Sequence, residues 1–169
     1  MSKDYNVFLK NADNISSREF ELYAFSVGLQ IRMYPVTDLG KHFGFLPFNL
    51  RASFMETLSA YDSFLSGFEI CFSQYSDSDY DAEFNSIMSG VSNTLLMSLD
   101  GEDFFQELVA TVFSGYLCKC CGGILYDPQT DKIYTDLSSI ESKIEAEKAN
   151  LIDTANKQSL RIHPFTGWK

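Results

Sequence analysis

Between positions 101 and 120 the apolar side chains Phe104, Phe105, Leu108, Val109, Val112, Phe113, Tyr116, Leu117 and Cys120 recur every three or four residues. That spacing is helical, and so broad an apolar stripe must be covered; the natural cover is a sheet on which the helix lies flat. Asp100 stands where an N-cap belongs, Glu102 and Asp103 fall in the first turn where the helix dipole favours anions, and Gly122-Gly123 supplies the stop.

The sheet that such a helix requires is legible in shorter runs. Residues 5–10 are short and rich in β-formers, ahead of a turn signal at 11–14. Ser16 and Glu19 form a capping box, with Phe20, Tyr23, Ala24 and Val27 at helical spacing, which predicts a helix over 17–27 closed by Gly28 and a strand over 29–34 stopped by Pro35. Leu46, Phe48, Leu50, Ala52 and Phe54 alternate with polar residues and Pro47, a proline suited to an edge or a strand start. Phe68, Ile70 and Phe72 alternate in the same way, so these two strands are expected to pair antiparallel across a long, mobile loop around 56–63. Residues 77–81 lack periodicity and read as a loop. Leu95, Met97 and Leu99 mark a strand over 93–99 facing inward. Residues 124–126 and 132–135 form a hairpin around Asp127-Pro128-Gln129-Thr130-Asp131, and Ser138 with Glu141 opens a charged helix running to about 157. The tail, 158–169, has no regular pattern. Strands and helices mix without βαβ regularity, so the expectation is an α+β fold: one domain over 1–169, an antiparallel or mixed sheet, the long helix packed on it and a charged carboxy-terminal helix.

Charge is distributed unevenly. The chain holds 13 Lys and Arg against 23 Asp and Glu, a net −10, which disfavours nucleic acid and anionic lipid as partners. No Lys or Arg occurs from Ala52 to Cys118, so the acidity belongs to the middle of the chain while the rest is close to neutral. No run of about 18 apolar residues exists to span a bilayer, and the start of the chain does not resemble an export signal, so a cytoplasmic location is expected.

Side chains capable of chemistry are sparse in pattern. Cys118, Cys120 and Cys121 suggest zinc, but on a helix Cys118 and Cys121 share a face while Cys120 follows the core stripe, and Cys71, His42 and His163 lack paired spacing. Free structural thiols, with no metal and no cofactor, are therefore expected. His42 and His163 accompany no G-x-S-x-G nucleophile, and Gly122-Gly123 follows a helix instead of opening one, the wrong polarity for a phosphate loop.

Three stretches read together carry a resemblance: Gly44-Phe45-Leu46-Pro47-Phe48, Ser66-Gly67-Phe68-Glu69, and the long helix ending in Gly122-Gly123-Ile124-Leu125-Tyr126-Asp127-Pro128-Gln129. Over about 43–129 the chain resembles a group of small bacterial α+β proteins, many of which look like immunity proteins of polymorphic or contact-delivered toxins, including those carried by type VI secretion and Rhs proteins. The bulky helix face and the cysteine cluster depart from the small-residue helix usual in that group. The resemblance implies a fold and a setting, not catalytic residues.

The expected function is accordingly that of an immunity protein, not an enzyme, which occludes the active site of a cognate toxin with a basic cleft. The expected contact residues are Asp77, Asp79, Tyr80, Asp81 and Glu83, with Glu102 and Asp103 nearby if the loop packs over the start of the long helix, and with Tyr75, Tyr80 and Phe84 as exposed anchors. Three alternatives stand beside it: a solvated acidic face that binds nothing, a small enzyme with a carboxylate or His42 site, and an adaptor subunit of a secretion apparatus.

Overall fold

A computed structural model of the chain describes residues 3–13, 15–34, 38–51, 55, 63–101, 103–158, 160, 163–165 and 167–168. The element order is β1 (Lys3–Leu9), α1 (Ser17–Ser26), β2 (Gln30–Met33), β3 (Gly44–Arg51), β4 (Phe64–Gln74), α2 (Ala82–Ile87), β5 (Asn93–Leu99), α3 (Phe104–Cys121), β6 (Ile124–Asp127), β7 (Lys132–Tyr134), α4 (Leu137–Lys157) and β8 (His163–Pro164), with 3-10 turns at Leu39–Lys41 and Asp77–Asp79. The strands form one eight-stranded sheet in the order β2-β3-β4-β5-β1-β6-β7, with β8 paired to β4. Every pairing is antiparallel. The chain is thus α+β, with a long helix packed on an antiparallel sheet.

Alternation decides which side chains face the helices. Tyr5, Val7 and Leu9, Leu46, Phe48 and Leu50, Phe68 and Ile70, and Leu95, Met97 and Leu99 are all buried in a single cluster with α3. The expected strand pair over Leu46–Leu50 and Phe68–Ile70 is present, with Leu46 opposite Phe68; Ala52 and Phe54, and the expected loop over 56–62, lie outside the described residues. β3 is not an edge strand, contrary to the expectation raised by Pro47. The Pro47 carbonyl accepts the Tyr34 N–H at 3.1 Å, so its nitrogen faces β2, which has ended at Met33. The donor that the proline lacks is therefore missing only where the β2–β3 ladder ends.

α3 is not simply laid flat on the sheet; it is enclosed. Apart from Glu107, every residue from 105 to 117 is buried, because α1 and α4 cover the side turned away from the strands. Phe20 of α1 meets Phe113 edge-on at 4.9 Å, and Ile140, Ile144 and Leu151 of α4 join the same core. Burial on all sides explains why Ala110, Thr111 and Ser114 lie between the bulky positions: small side chains let neighbouring helices approach, and the two hydroxyls are satisfied by carbonyls one turn back, Glu107 O and Ala110 O.

Helix ends follow cap chemistry, with corrections. Ser16 caps α1, accepting from Glu19 N at 3.3 Å. Gly28 (φ +84°) closes α1 and Gly122 (φ +60°) closes α3, both in a region costly for a side-chain-bearing residue. The cap of α3 is Asp103, not Asp100: its carboxylate accepts from Phe105 N at 2.9 Å and from the Ser66 hydroxyl. The cap of α4 is Asp136, which accepts from Ser139 N at 2.8 Å, so Ser138 is already helical. Residues 77–81, expected to be a loop, are a 3-10 turn running into α2. The tail is partly regular, since Leu65 pairs with His163 and Phe64 with Pro164.

Candidate functional site: an acidic knob on an aromatic seat

β1 carries Val7, Phe8 and Leu9 in succession, all fully buried. Val7 and Phe8 must point to opposite faces of the sheet, so the face away from α3 also has a cover over β1. That cover is the segment from Tyr75 through α2 to Val91. Phe8 is surrounded edge-on by Tyr75 at 5.7 Å, Tyr80 at 5.6 Å and Phe84 at 5.4 Å. Tyr80 stacks between the other two, 5.7 Å from Tyr75 and 4.5 Å from Phe84. Met88 and Ile124 complete this second core, with Val91, Tyr126 and Ile133 at its rim.

The three aromatics expected as free anchors are therefore the seat of α2, and Tyr80 is half-buried against Phe8. Burial raises the Tyr80 phenol above its usual range, with Asp79 adding to the shift. Asn85 ties the segment together: its side-chain amide donates to the carbonyls of Asp77 at 2.9 Å and Tyr80 at 3.1 Å, and its oxygen accepts from the Tyr75 hydroxyl.

On this seat the carboxylates of Asp77, Asp79, Asp81 and Glu83 all lie in exposed residues. Asp81 is also the N-cap of α2, accepting from Phe84 N at 2.8 Å. None of the four makes an ion pair among the described residues. The geometry thus presents a concentrated negative charge on a short, braced projection, and its aromatic side is already occupied by the sheet.

The remaining two expected contact residues do not join it. Glu102 lies outside the described residues. Asp103 is committed to capping α3 and sits beyond the far end of β5, whose seven residues span roughly 20 Å; the acidic turn lies at the near end, where Gln74 pairs with Asn93. Moreover, α2 covers one face of the sheet and α3 the other. The loop does not pack over the start of the long helix.

The thiols depart from expectation in phase. Cys121, not Cys120, follows the core, 4% exposed, while Cys120 faces solvent. Their sulfurs are 3.1 Å apart. That contact lowers the Cys120 thiol and, together with burial, raises Cys121. Among the described residues no three His, Cys, Asp or Glu side chains gather as a metal site would require. His42 Nε2 lies 3.0 Å from the Phe45 carbonyl in an exposed turn, and His163 is exposed on β8.

One further polar cluster has no signature in the sequence. In a cleft of about 440 Å³ between α3, α4 and the sheet, Lys143 Nζ meets Asp127 Oδ2 at 3.3 Å and Glu147 Oε1 at 3.0 Å. Nearby, the Tyr5 hydroxyl donates to Glu107 at 2.9 Å and Lys3 pairs with the same carboxylate at 2.6 Å. Burial alone would lower Lys143, but Glu147 and Asp127 outweigh it and the ammonium is held above its usual range. Burial and Glu107 push the Tyr5 phenol up strongly. A lysine kept charged and a phenol kept protonated are poor bases. Asp127 also accepts from Gln129 N at 3.1 Å, so the Asp-Pro-Gln motif fixes the hairpin turn and anchors α4 at once.

No family model, curated protein or solved structure matches this chain. No helix among the described residues is long and apolar enough to cross a membrane.

Proposed function

We propose that this chain is a cytoplasmic immunity protein that binds a cognate toxin domain and occludes its basic active-site cleft. The observation that carries the reading is the knob: Asp77, Asp79, Asp81 and Glu83 are exposed and without ion-pair partners among the described residues, on a segment braced by the ring cluster around Phe8. A braced one-sign surface suits association with a basic partner, because its field steers the encounter and little order has to be imposed on docking. The Leu-Pro, Gly-Phe-Glu and Gly-Gly-Ile-x-x-Asp-Pro-Gln resemblance points to the same setting. The contact set is Asp77, Asp79, Asp81 and Glu83; Tyr80 serves by holding them in place.

A small enzyme would centre on the cleft of Lys143, Asp127 and Glu147, the densest set of buried charges described. Those groups are already committed to one another, and this favours the binding reading. The test is co-expression with the reading frame encoded beside this gene, which on this proposal encodes the toxin. The intact chain should restore growth and co-purify with the toxin, and the fourfold change of Asp77, Asp79 and Asp81 to Asn and Glu83 to Gln should weaken both. Failure of the intact chain to protect would overturn the proposal.

A further inference from the structure

Tyr116 and Cys120 stand one turn apart on α3, so their side chains share a face, and that face borders a cavity of about 400 Å³ lined also by Glu19 and Tyr23 of α1 and by Lys119. Cys120 is exposed, and its sulfur lies 3.1 Å from that of buried Cys121. The Tyr116 hydroxyl accepts the Ser16 N–H at 2.9 Å, which leaves its own proton to donate. The carboxy-terminal end of a helix disfavours an anion. Hydrogen bonds from Cys121 and from Tyr116 nevertheless bring the Cys120 thiol below its usual range, against burial and the charge of Glu19. An exposed thiol held in this way is the reactive kind.

The cavity wall carries groups that the protein leaves unused. Lys119 Nζ lies 5.8 Å from the centre of the Tyr23 ring, and neither Lys119 nor Glu19 makes an ion pair among the described residues. Tyr23 is 6% exposed, and its hydroxyl has no hydrogen-bond partner among the described residues. A cation and an anion, both unpaired and lining one cavity, suit a small ligand that carries a carboxylate and an ammonium group. The two sulfurs are poorly placed to oxidise each other. Adjacent Cα atoms are about 3.8 Å apart across a trans peptide, short of the roughly 4.4 Å or more of ordinary disulfides, so a bond between Cys120 and Cys121 would be strained. The oxidising partner of Cys120 therefore has to come from outside the chain.

We propose that Cys120 is a site of reversible S-thiolation by a small zwitterionic disulfide of the amino-acid or peptide type, received in this cavity by Lys119 and Glu19. The Cys120 thiolate, its proton given to solvent, attacks one sulfur of the disulfide. A new sulfur–sulfur bond to Cys120 forms as the old one breaks; the Cys120 sulfur is oxidised, and the departing thiolate is reduced and takes up a proton. Cys121 keeps its proton and is not consumed. The site is on α3 and the knob on the opposite face of the sheet, so either proposal can fail without the other. The test exposes the reduced full chain, under native conditions, to glutathione disulfide or to the uncharged 2-hydroxyethyl disulfide, and reads intact mass and peptide maps after an acid quench. One adduct should form on Cys120, about tenfold or more faster than on Cys71 or Cys118, and dithiothreitol should remove it. Lys119→Gln should slow the glutathione reagent several-fold and leave the uncharged one nearly unchanged. Tyr116→Phe should slow both reagents near neutral pH and move the midpoint of the pH–rate profile upward, with circular dichroism showing that the variants fold. A first adduct on another cysteine, a Cys120–Cys121 disulfide in place of the adduct, a glutathione rate that does not fall selectively in Lys119→Gln, or an unmoved pH profile in Tyr116→Phe would each overturn the proposal.

Discussion

Phe8→Ala should detach the acidic knob from the sheet while leaving the main core in place. Phe8 is fully buried, and truncating such a ring costs about 3 to 5 kcal/mol through lost transfer energy and the cavity left behind. Its three edge-on contacts, to Tyr75, Tyr80 and Phe84, are each worth about 0.5 to 1.5 kcal/mol beyond area, which places the expected loss toward the upper end. Phe8→Leu keeps most of the apolar volume and loses the ring geometry, so it should cost about 1 to 2 kcal/mol. Urea denaturation gives the totals, and native-state hydrogen exchange locates them. In Phe8→Ala, amides over 75–92 should exchange much faster, whereas those of α3 should lose no more protection than the fall in global stability dictates. A loss below about 1 kcal/mol, with unchanged exchange over 75–92, would mean that α2 does not rest on Phe8 and that the knob is not braced.

Other perturbations test the rest of the structure. Phe113→Ala, in the main core between α1 and the sheet, should cost about 3 to 5 kcal/mol in the same denaturation assay. Lys143→Met should cost a similar ~3 to 5 kcal/mol in the same assay by leaving Asp127 and Glu147 without their cation. The phenols of Tyr5, Tyr23 (pushed up to about 12) and Tyr116 are raised, in each case chiefly by burial. Above about pH 10 the unfolded chain releases these protons and the folded one holds them, so their contribution to stability is constant below that pH, and stability should fall above it in a melting series; a rise would contradict the assignment.

The principal layers were legible because period and burial agree: the stripe of α3 from Phe105 to Leu117, the inward positions Leu46, Phe48 and Leu50 of β3, Phe68 and Ile70 of β4 and Leu95, Met97 and Leu99 of β5, and the Ser16 cap stand where the pattern puts them, whereas Phe104 and Cys120, at the two ends of the stripe, are exposed. The misses share a cause, namely that tertiary partners decided between locally equivalent options. Asp100 and Asp103 are both competent caps, and the Ser66 hydroxyl, supplied by β4, completes the second. α2 is six residues long, too short for a period to show, and is held by Phe8 from the start of the chain. The signal for it was the unbroken run Val7-Phe8-Leu9, which places an apolar ring on the face opposite the main core.

The association rate with the product of the neighbouring reading frame, measured by stopped flow across a salt series, tests the proposed function most directly. For the intact chain it should be fast at low salt and fall steeply as salt is added. In the variant with Asp77, Asp79 and Asp81 changed to Asn and Glu83 to Gln, it should drop by about tenfold or more at low salt and become nearly insensitive to it, with the melting temperature little changed. If that variant associates as fast as the intact chain at low salt, the acidic knob is only a solvated surface and the interface lies elsewhere.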